Sequence, residues 1–241
     1  MRDTSVVDDN FQPYTKVKDI IDSYVVPTAD PHQNKYVVDH YKRREFISKF
    51  TGSTGTAVIT NKEAFLFTDD HYFLQTEKEL DQTCWKLIYE KMKDNFSIIN
   101  WLARNLNNNS IVACDPQLVS ISEWKEWERI FLQYNIYLIS LEVNLIDLLW
   151  NDQRPSLPDT SICISNNEIQ SSSNPGRGLR RLFDLRVVNI QFNSVFLSFA
   201  LIGRDYVKLF IDLNNLSKSI QDYLQFENIL VYPYDSFYNE F

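Results

Sequence analysis

The chain has 241 residues, 44% of them hydrophobic and 14% aromatic, and a formal net charge of −8 from 32 acidic and 24 basic side chains. That apolar share is ample for a packed core and excludes a disordered chain, and the acidic balance excludes nonspecific nucleic-acid binding, which needs a basic face against phosphate. No apolar run reaches the roughly 20 residues that span a bilayer and residues 1–10 lack the apolar centre of a signal peptide, so the expectation is a soluble, cytoplasmic protein with neither a membrane nor a nucleic-acid partner.

Residues 1–18 are polar and acidic without a period and read as a tail. Ser23-Tyr-Val-Val26 is a short strand closed by Pro27, which has no backbone donor. A polar loop carrying Asp30-Pro-His32 leads to a helix over Lys42–Lys49, with Phe46, Ile47 and Phe50 inward and Lys42-Arg43-Arg44 on a solvated face. Phe50-Thr-Gly-Ser-Thr-Gly-Thr56 lacks the Gly-Lys-Ser/Thr ending of a phosphate loop and opens into a strand, so it reads as a tight turn. Thr56–Thr60 and Ala64–Thr68 form a hairpin across Asn61-Lys-Glu63. Asp69 caps the next helix, on which Tyr72, Phe73 and Leu80 pack.

Further on, Asn95 caps a helix whose Ile98, Leu102 and Leu106 recur every four positions. Ser110–Cys114 is a strand stopped by Asp115-Pro116. Ser120 and Glu123 make a capping box ahead of a stripe of Trp124, Trp127, Phe131 and Tyr134. Tyr137–Ser140 is a strand, and Asn144 opens a short helix ending near Trp150. Strands alternating with helices predict an α/β fold, a mixed β-sheet flanked by helices.

From Asn151 to Gly178 turn formers and breakers dominate, and residues 156–178 read as a linker. Strands then follow over Val195–Ile202 and Tyr206–Ile211, a helix from Ser217, a strand over Ile229–Val231 and a closing segment Asp235–Phe241. So few strands predict an incomplete second domain over 179–241, with exposed sheet edges and an uncovered apolar face.

Cys84, Cys114 and Cys163 are odd in number, widely spaced and set among apolar neighbours, which predicts buried reduced thiols. Asp30, His32, His40 and His71 are the candidates for histidine-based chemistry, but no second carboxylate–histidine pair stands at ligand spacing. No serine sits in a Gly-x-Ser-x-Gly elbow. Asp69-Asp70-His71 reads as the acidic start of a helix. No catalytic residue and no metal ligand is therefore assigned.

Several ordered motifs resemble the Xaa-Pro aminopeptidases (aminopeptidase P), whose N-terminal module is the creatinase N-terminal, ribonuclease H-like domain. Asp30, His32, Asn34, Tyr36, Phe50, Gly52, Ser53, Gly55 and Thr56 stand in the family's loop and turn positions. Asp115-Pro116, Asn144-Leu145 with Asp147 and Trp150, and Arg154-Pro155 are similar to later signposts, and they extend the first domain over 19–155. Leu182-Phe-Asp-Leu-Arg186, Phe192–Ala200, Lys208–Asp212 and Val231–Phe237 are similar to the family's second domain.

The resemblance implies three departures. The family's Asp-Gly-Arg-Tyr is here Asp69-Asp70-His71-Tyr72, so the substrate-lining place of that arginine falls to His71, a weaker contact because imidazole lacks the guanidinium fork. Glu168–Arg181 stands where about thirty more residues belong. The catalytic domain, whose two Asp, one His and two Glu hold a pair of divalent ions, typically manganese, does not follow, and no cofactor is expected in this chain. The implied function is the non-catalytic N-terminal part of an Xaa-Pro aminopeptidase, serving substrate access and dimerisation. Its partner would be a second copy or a full-length family member. A shortened regulatory partner of such an enzyme is the alternative, and a small hydrolase built on Asp30, His32 or His71 is the remaining rival.

Overall fold

Short β-branched and aromatic runs, each cut off by a turn former, build the sheet on which everything else is mounted. The computed structural model describes residues 21–34, 37–90, 97–158, 162–164, 185–187 and 196–240. The polar tail, the Asn95 cap, the Glu168–Arg181 segment and most of the expected linker lie outside those residues, and the described part of that linker includes a strand, Ile162–Ile164. Two compact units, Met1–Leu157 and Pro158–Phe241, are described separately below.

In the first unit six strands, β1 (Ser23–Pro27), β2 (Thr56–Thr60), β3 (Ala64–Asp69), β4 (Trp85–Glu90), β5 (Ile111–Cys114) and β6 (Tyr137–Ser140), pair in the order β4-β3-β2-β1-β5-β6. The β1–β2 and β2–β3 pairs are antiparallel, and β3–β4, β1–β5 and β5–β6 are parallel. The registers Val25↔Val58 and Val25↔Cys114 put three small apolar residues in line at the centre.

Because strand side chains alternate, each face has its own core. Val25, Val58, Phe65, Phe67, Val112 and Cys114 meet Ile99, Leu102 and Ala103 of α3 (Ile98–Asn105) and Ile130 and Phe131 of α4 (Ile121–Leu132). On the other face Tyr24, Val26, Ala57 and Ala113 meet Ile146 of α5 (Leu145–Trp150) and Phe46 and Ile47 of α1 (Arg43–Ser48). A satellite cluster of Phe50, Leu66 and Leu80 lies beside α2 (Phe73–Glu79).

The expected mixed sheet flanked by helices is thus present, and several local expectations change. The buried stripe of α3 is Ile99, Leu102 and Ala103, with Ile98 and Leu106 at its margin, and Ser97 stands at the N-cap without a side-chain bond. The Ser120–Glu123 capping box forms, but α4 ends at Leu132 and Tyr134 turns to solvent. Phe73 is largely exposed, touching Tyr89. Cys114 is buried in β5, whereas Cys84 is exposed in the turn before β4. Most consequential, Arg43 and Arg44 are 5% and 4% exposed, so the basic cluster is not a solvated face. Helical spacing sets Arg43 above Ile47 and Arg44 above Ser48, on the inward arc.

In the second unit β7 (Ile162–Ile164) pairs antiparallel with β8 (Leu185–Val187). A second sheet has the order β11-β10-β9 from β9 (Ser198–Ile202), β10 (Val207–Ile211) and β11 (Ile229–Pro233). The parallel β10–β11 pair is joined through α6 (Lys218–Phe226), which lays Ile220 and Leu224 on Leu209 and Ile211. On the opposite face Phe199 stacks on Phe237 with centroids 4.1 Å apart, and Phe210 meets Tyr232 and Phe237. Phe237 belongs to a closing 3-10 helix, Tyr234–Glu240. The expected uncovered apolar face is therefore covered. Large flat rings bury enough area that a short 3-10 segment serves in place of a second helix.

Phe131 is fully buried between α3 and the sheet, so Phe131→Ala should destabilise the first unit by about 3–5 kcal/mol, read as a lower urea midpoint. A midpoint within error of the parent protein would refute this packing.

Candidate functional site

Two stretches about twenty residues apart in sequence meet at the carboxyl end of β3, the edge at which open α/β sheets place ligands. β3 runs out at Asp69, whose carboxylate accepts the backbone N–H of His71 at 3.0 Å and so starts a 3-10 turn, Asp70–Tyr72. The anticipated cap is therefore made, by a tighter turn than an α-helix. Tyr72 then folds back. Its hydroxyl lies 2.6 Å from Ser53 Oγ and its ring sets an edge against Phe50, with centroids 5.6 Å apart.

Polar bonds close the rest of the rim. Thr68 Oγ1 donates to Thr54 O at 2.8 Å, and Gln75 Nε2 donates to Thr51 Oγ1 at 2.8 Å. Glu79 accepts the Thr51 backbone N–H at 2.7 Å and its hydroxyl at 2.9 Å. Burial pushes the Glu79 carboxyl up, but these Thr51 donors, the Gln75 amide and the Arg44 charge outweigh it and hold the group below its usual range.

Both glycines of the turn are explained by close approach. A Cβ on Gly52 would lie 2.2 Å from Phe50 Cζ, and one on Gly55 would lie 2.9 Å from the Phe67 carbonyl, which the sheet holds in place.

Beneath the rim sits Arg44. Its Nη1 donates to Phe50 O at 2.9 Å, Nη2 donates to Gly52 O, and Nε donates to Thr28 Oγ1 at 2.9 Å. The guanidinium also lies over the Phe50 ring, 5.0 Å from its centroid. Burial lowers its pKa to about 10, with Glu45, Tyr72 and Glu79 opposing the fall. The turn thus points the Phe50 and Gly52 carbonyls inward onto a fixed cation, consistent with a tight turn feeding β2.

His71 stands on the rim with its side chain 76% exposed, Nδ1 3.1 Å from Asp69 Oδ1 and 3.4 Å from Asp70 Oδ1. The other candidates are elsewhere. Asp30 is fully buried after β1, and its carboxylate accepts from His32 N, Asn34 N and Asn34 Nδ2 at 3.0, 2.9 and 3.1 Å. It closes its loop, and Gln33 ties that loop to Leu118 O at 3.1 Å. Burial lowers the His32 pKa against the opposing charge of Asp30. β1 and β3 are separated by β2 in the sheet, so their ends are about 10 Å apart. His40 instead faces Pro155. Arg44, the residue under the rim, was hidden from sequence reasoning because a charged run at a helix start reads as solvated. The helical spacing of Arg44 with Ser48 was the available signal.

Asp69, Asp70 and His71 are the one acid–histidine group among the described residues with ligand atoms within 4.8 Å of one another. Three neighbouring side chains, two of them exposed, do not fit a pair of divalent ions held by two Asp, one His and two Glu.

Residues 21–146 match the sequence profile described as Creatinase/Prolidase N-terminal domain, and residues 181–241 match a second profile of the same description. The chain belongs to the creatinase/prolidase N-terminal domain family. Its relatives are Xaa-Pro aminopeptidases. It is 34% identical to the Xaa-Pro aminopeptidase ApepP of Drosophila melanogaster over 90% of this chain and 39% of that one. It is 33% identical to the Probable Xaa-Pro aminopeptidase P of Pyricularia oryzae over 91% of this chain and 39% of that one. The crystal structure of an X-prolyl aminopeptidase from Caenorhabditis elegans, described as a cytosolic enzyme with a di-nuclear active site, superposes with a TM-score of 0.82 at 25% identity, covering 93% of this chain and 40% of that one. The chain thus spans about two fifths of the length of the relatives it matches.

Replacing Arg44 by Met strands the Phe50 and Gly52 carbonyls, and the expected cost is about 2–4 kcal/mol in urea unfolding. Arg44→Lys should recover only part of it, since an ammonium cannot span three acceptors in one plane. A Met variant as stable as the parent would contradict the role given to Arg44.

Proposed function

We propose that this chain is the non-catalytic N-terminal portion of a metal-dependent Xaa-Pro aminopeptidase, which removes the N-terminal residue from peptides with proline second. The observation that carries the reading is the superposition of nine-tenths of the chain on two fifths of a di-nuclear X-prolyl aminopeptidase. On this reading the metal ions, typically manganese in the family, and the reacting groups belong to a catalytic domain of the parent enzyme. These residues shape substrate access and support dimerisation.

Within that portion His71 lines the substrate region. Its exposure on a rim fixed by Tyr72, Ser53 and Arg44 supports the assignment, and an imidazole there contacts peptide more weakly than a guanidinium fork. Association is favoured by α5, whose sequence Leu145-Ile-Asp-Leu-Leu-Trp150 is apolar on both sides. Ile146 and Trp150 face the core while Leu148 and Leu149 are exposed, Leu149 by 72%. Large apolar side chains exposed side by side on one helix ordinarily mark a surface that a partner covers. The same surface suits the second reading, a shortened partner docking on a full-length enzyme.

The purified chain should not release the N-terminal residue of an Arg-Pro-Pro peptide, with or without manganese. Release that manganese enhances, and that a mock purification lacks, would overturn the reading. Sedimentation should show a concentration-dependent dimer that Leu149→Lys weakens. A strictly monomeric parent chain would remove the homodimer, and failure to co-purify with a full-length homologue would remove the partner reading.

A further inference from the structure

The chain leaves the first unit through the turn Asn151–Gln153 and the residues Arg154 and Pro155, and this exit segment is bound to α1 and its approach by four polar side chains. Arg43 of α1 forks onto Asp147 of α5, with Nε to Oδ1 and Nη2 to Oδ2 both at 2.7 Å. Arg154 shares that carboxylate, its Nη1 lying 2.8 Å from Asp147 Oδ2. It also donates from Nε to the His40 carbonyl at 2.9 Å. His40 returns the contact, its Nδ1 lying 2.7 Å from the Pro155 carbonyl. A carbonyl only accepts, so Nδ1 carries the proton of the neutral ring and Nε2 is the atom that gains a second.

The clasp is short of negative charge. One carboxylate, Asp147, serves two guanidinium groups, and Arg43 Nη1, buried, has no acceptor in the structure. Burial opposes the Arg43 charge, but the bonds and field of Asp147, with Asp115, outweigh it and keep the cation tight. The charged groups facing the His40 ring are Arg43 from α1, Arg154 from the exit segment and Asp147 from α5, and the Tyr41 ring packs edge-on to it at 4.8 Å. A proton on Nε2 would add a third positive charge against that single carboxylate.

We propose that His40 is an acid-sensitive latch: neutral, it clasps residues 151–155 to the first helix, and protonated, it releases them and lengthens the connection into the second unit. The local balance agrees. Burial lowers the His40 pKa, the Pro155 bond opposes this, Arg154 and Arg43 lower it further, and Asp147 opposes. A group held below its unfolded value of 6.5 contributes stability that is complete above that pH and is lost as pH falls through the folded value.

The test is amide hydrogen exchange of the whole chain at about pH 7.5 and about pH 5.0, corrected for the intrinsic rate. Exchange over 151–157 should rise about threefold or more at the lower pH. His40→Asn, whose amide can still donate to Pro155 O but cannot gain charge, should show no such rise. A flat parent protein, an equal rise in the variant, or a rise confined to 30–34, which would assign it to His32, each overturns the proposal. If the variant fails to fold, the parent alone decides. The His40 ring signal and the Gln153 and Arg154 amide signals should titrate with one midpoint below 6.5, and separate midpoints overturn the latch.

Discussion

A guanidinium taken out of water must have its donors met or it destabilises the site that holds it, and Arg44 satisfies this demand without a carboxylate. Its partners are the carbonyls of Phe50 and Gly52 and the hydroxyl of Thr28. Because the acceptors are backbone, the arginine fixes the course of the chain rather than another side chain. The turn from Phe50 to Thr56 can enter the central strand β2 only along the path those two carbonyls define. The rim carrying Tyr72 and His71 then closes on that turn through Ser53, Thr51 and Thr54.

The neighbouring Arg43 works by different physics. It is paired to a carboxylate from α5, and that carboxylate also holds Arg154. One helix of six residues therefore anchors the glycine turn on one side and the exit of the unit on the other. α1 is too short to persist alone. Its order comes from these two buried cations and from Phe46, which stacks on Trp150 with centroids 4.6 Å apart.

The second unit reaches coverage by another route. Its three-stranded sheet has an aliphatic face under α6 and an aromatic face under the closing 3-10 helix. Leu209 and Ile211 point one way and Phe210 the other, the ordinary alternation of a strand, and the ring stack of Phe199 on Phe237 replaces the length of a helix with area.

Much of this was legible in the chain itself. The short apolar runs Thr56–Thr60 and Ala64–Thr68, the Ser120–Glu123 box, the Asp69 cap and the glycine turn are local patterns whose energetics involve residues a few positions apart, so sequence alone determined those strands and caps, whereas β4, β7 and β8 were not read from it. The resemblance also singled out His71 as a candidate on the rim. What lay beyond it were partnerships across long separations. Arg43 reads as solvated until Asp147, more than a hundred residues away, is brought beside it. His40 has no visible role until Pro155 faces its ring. Phe210 looks uncovered until the last turn folds over it. A charge or ring is judged buried or exposed by what surrounds it in space, and only the tertiary structure decides that.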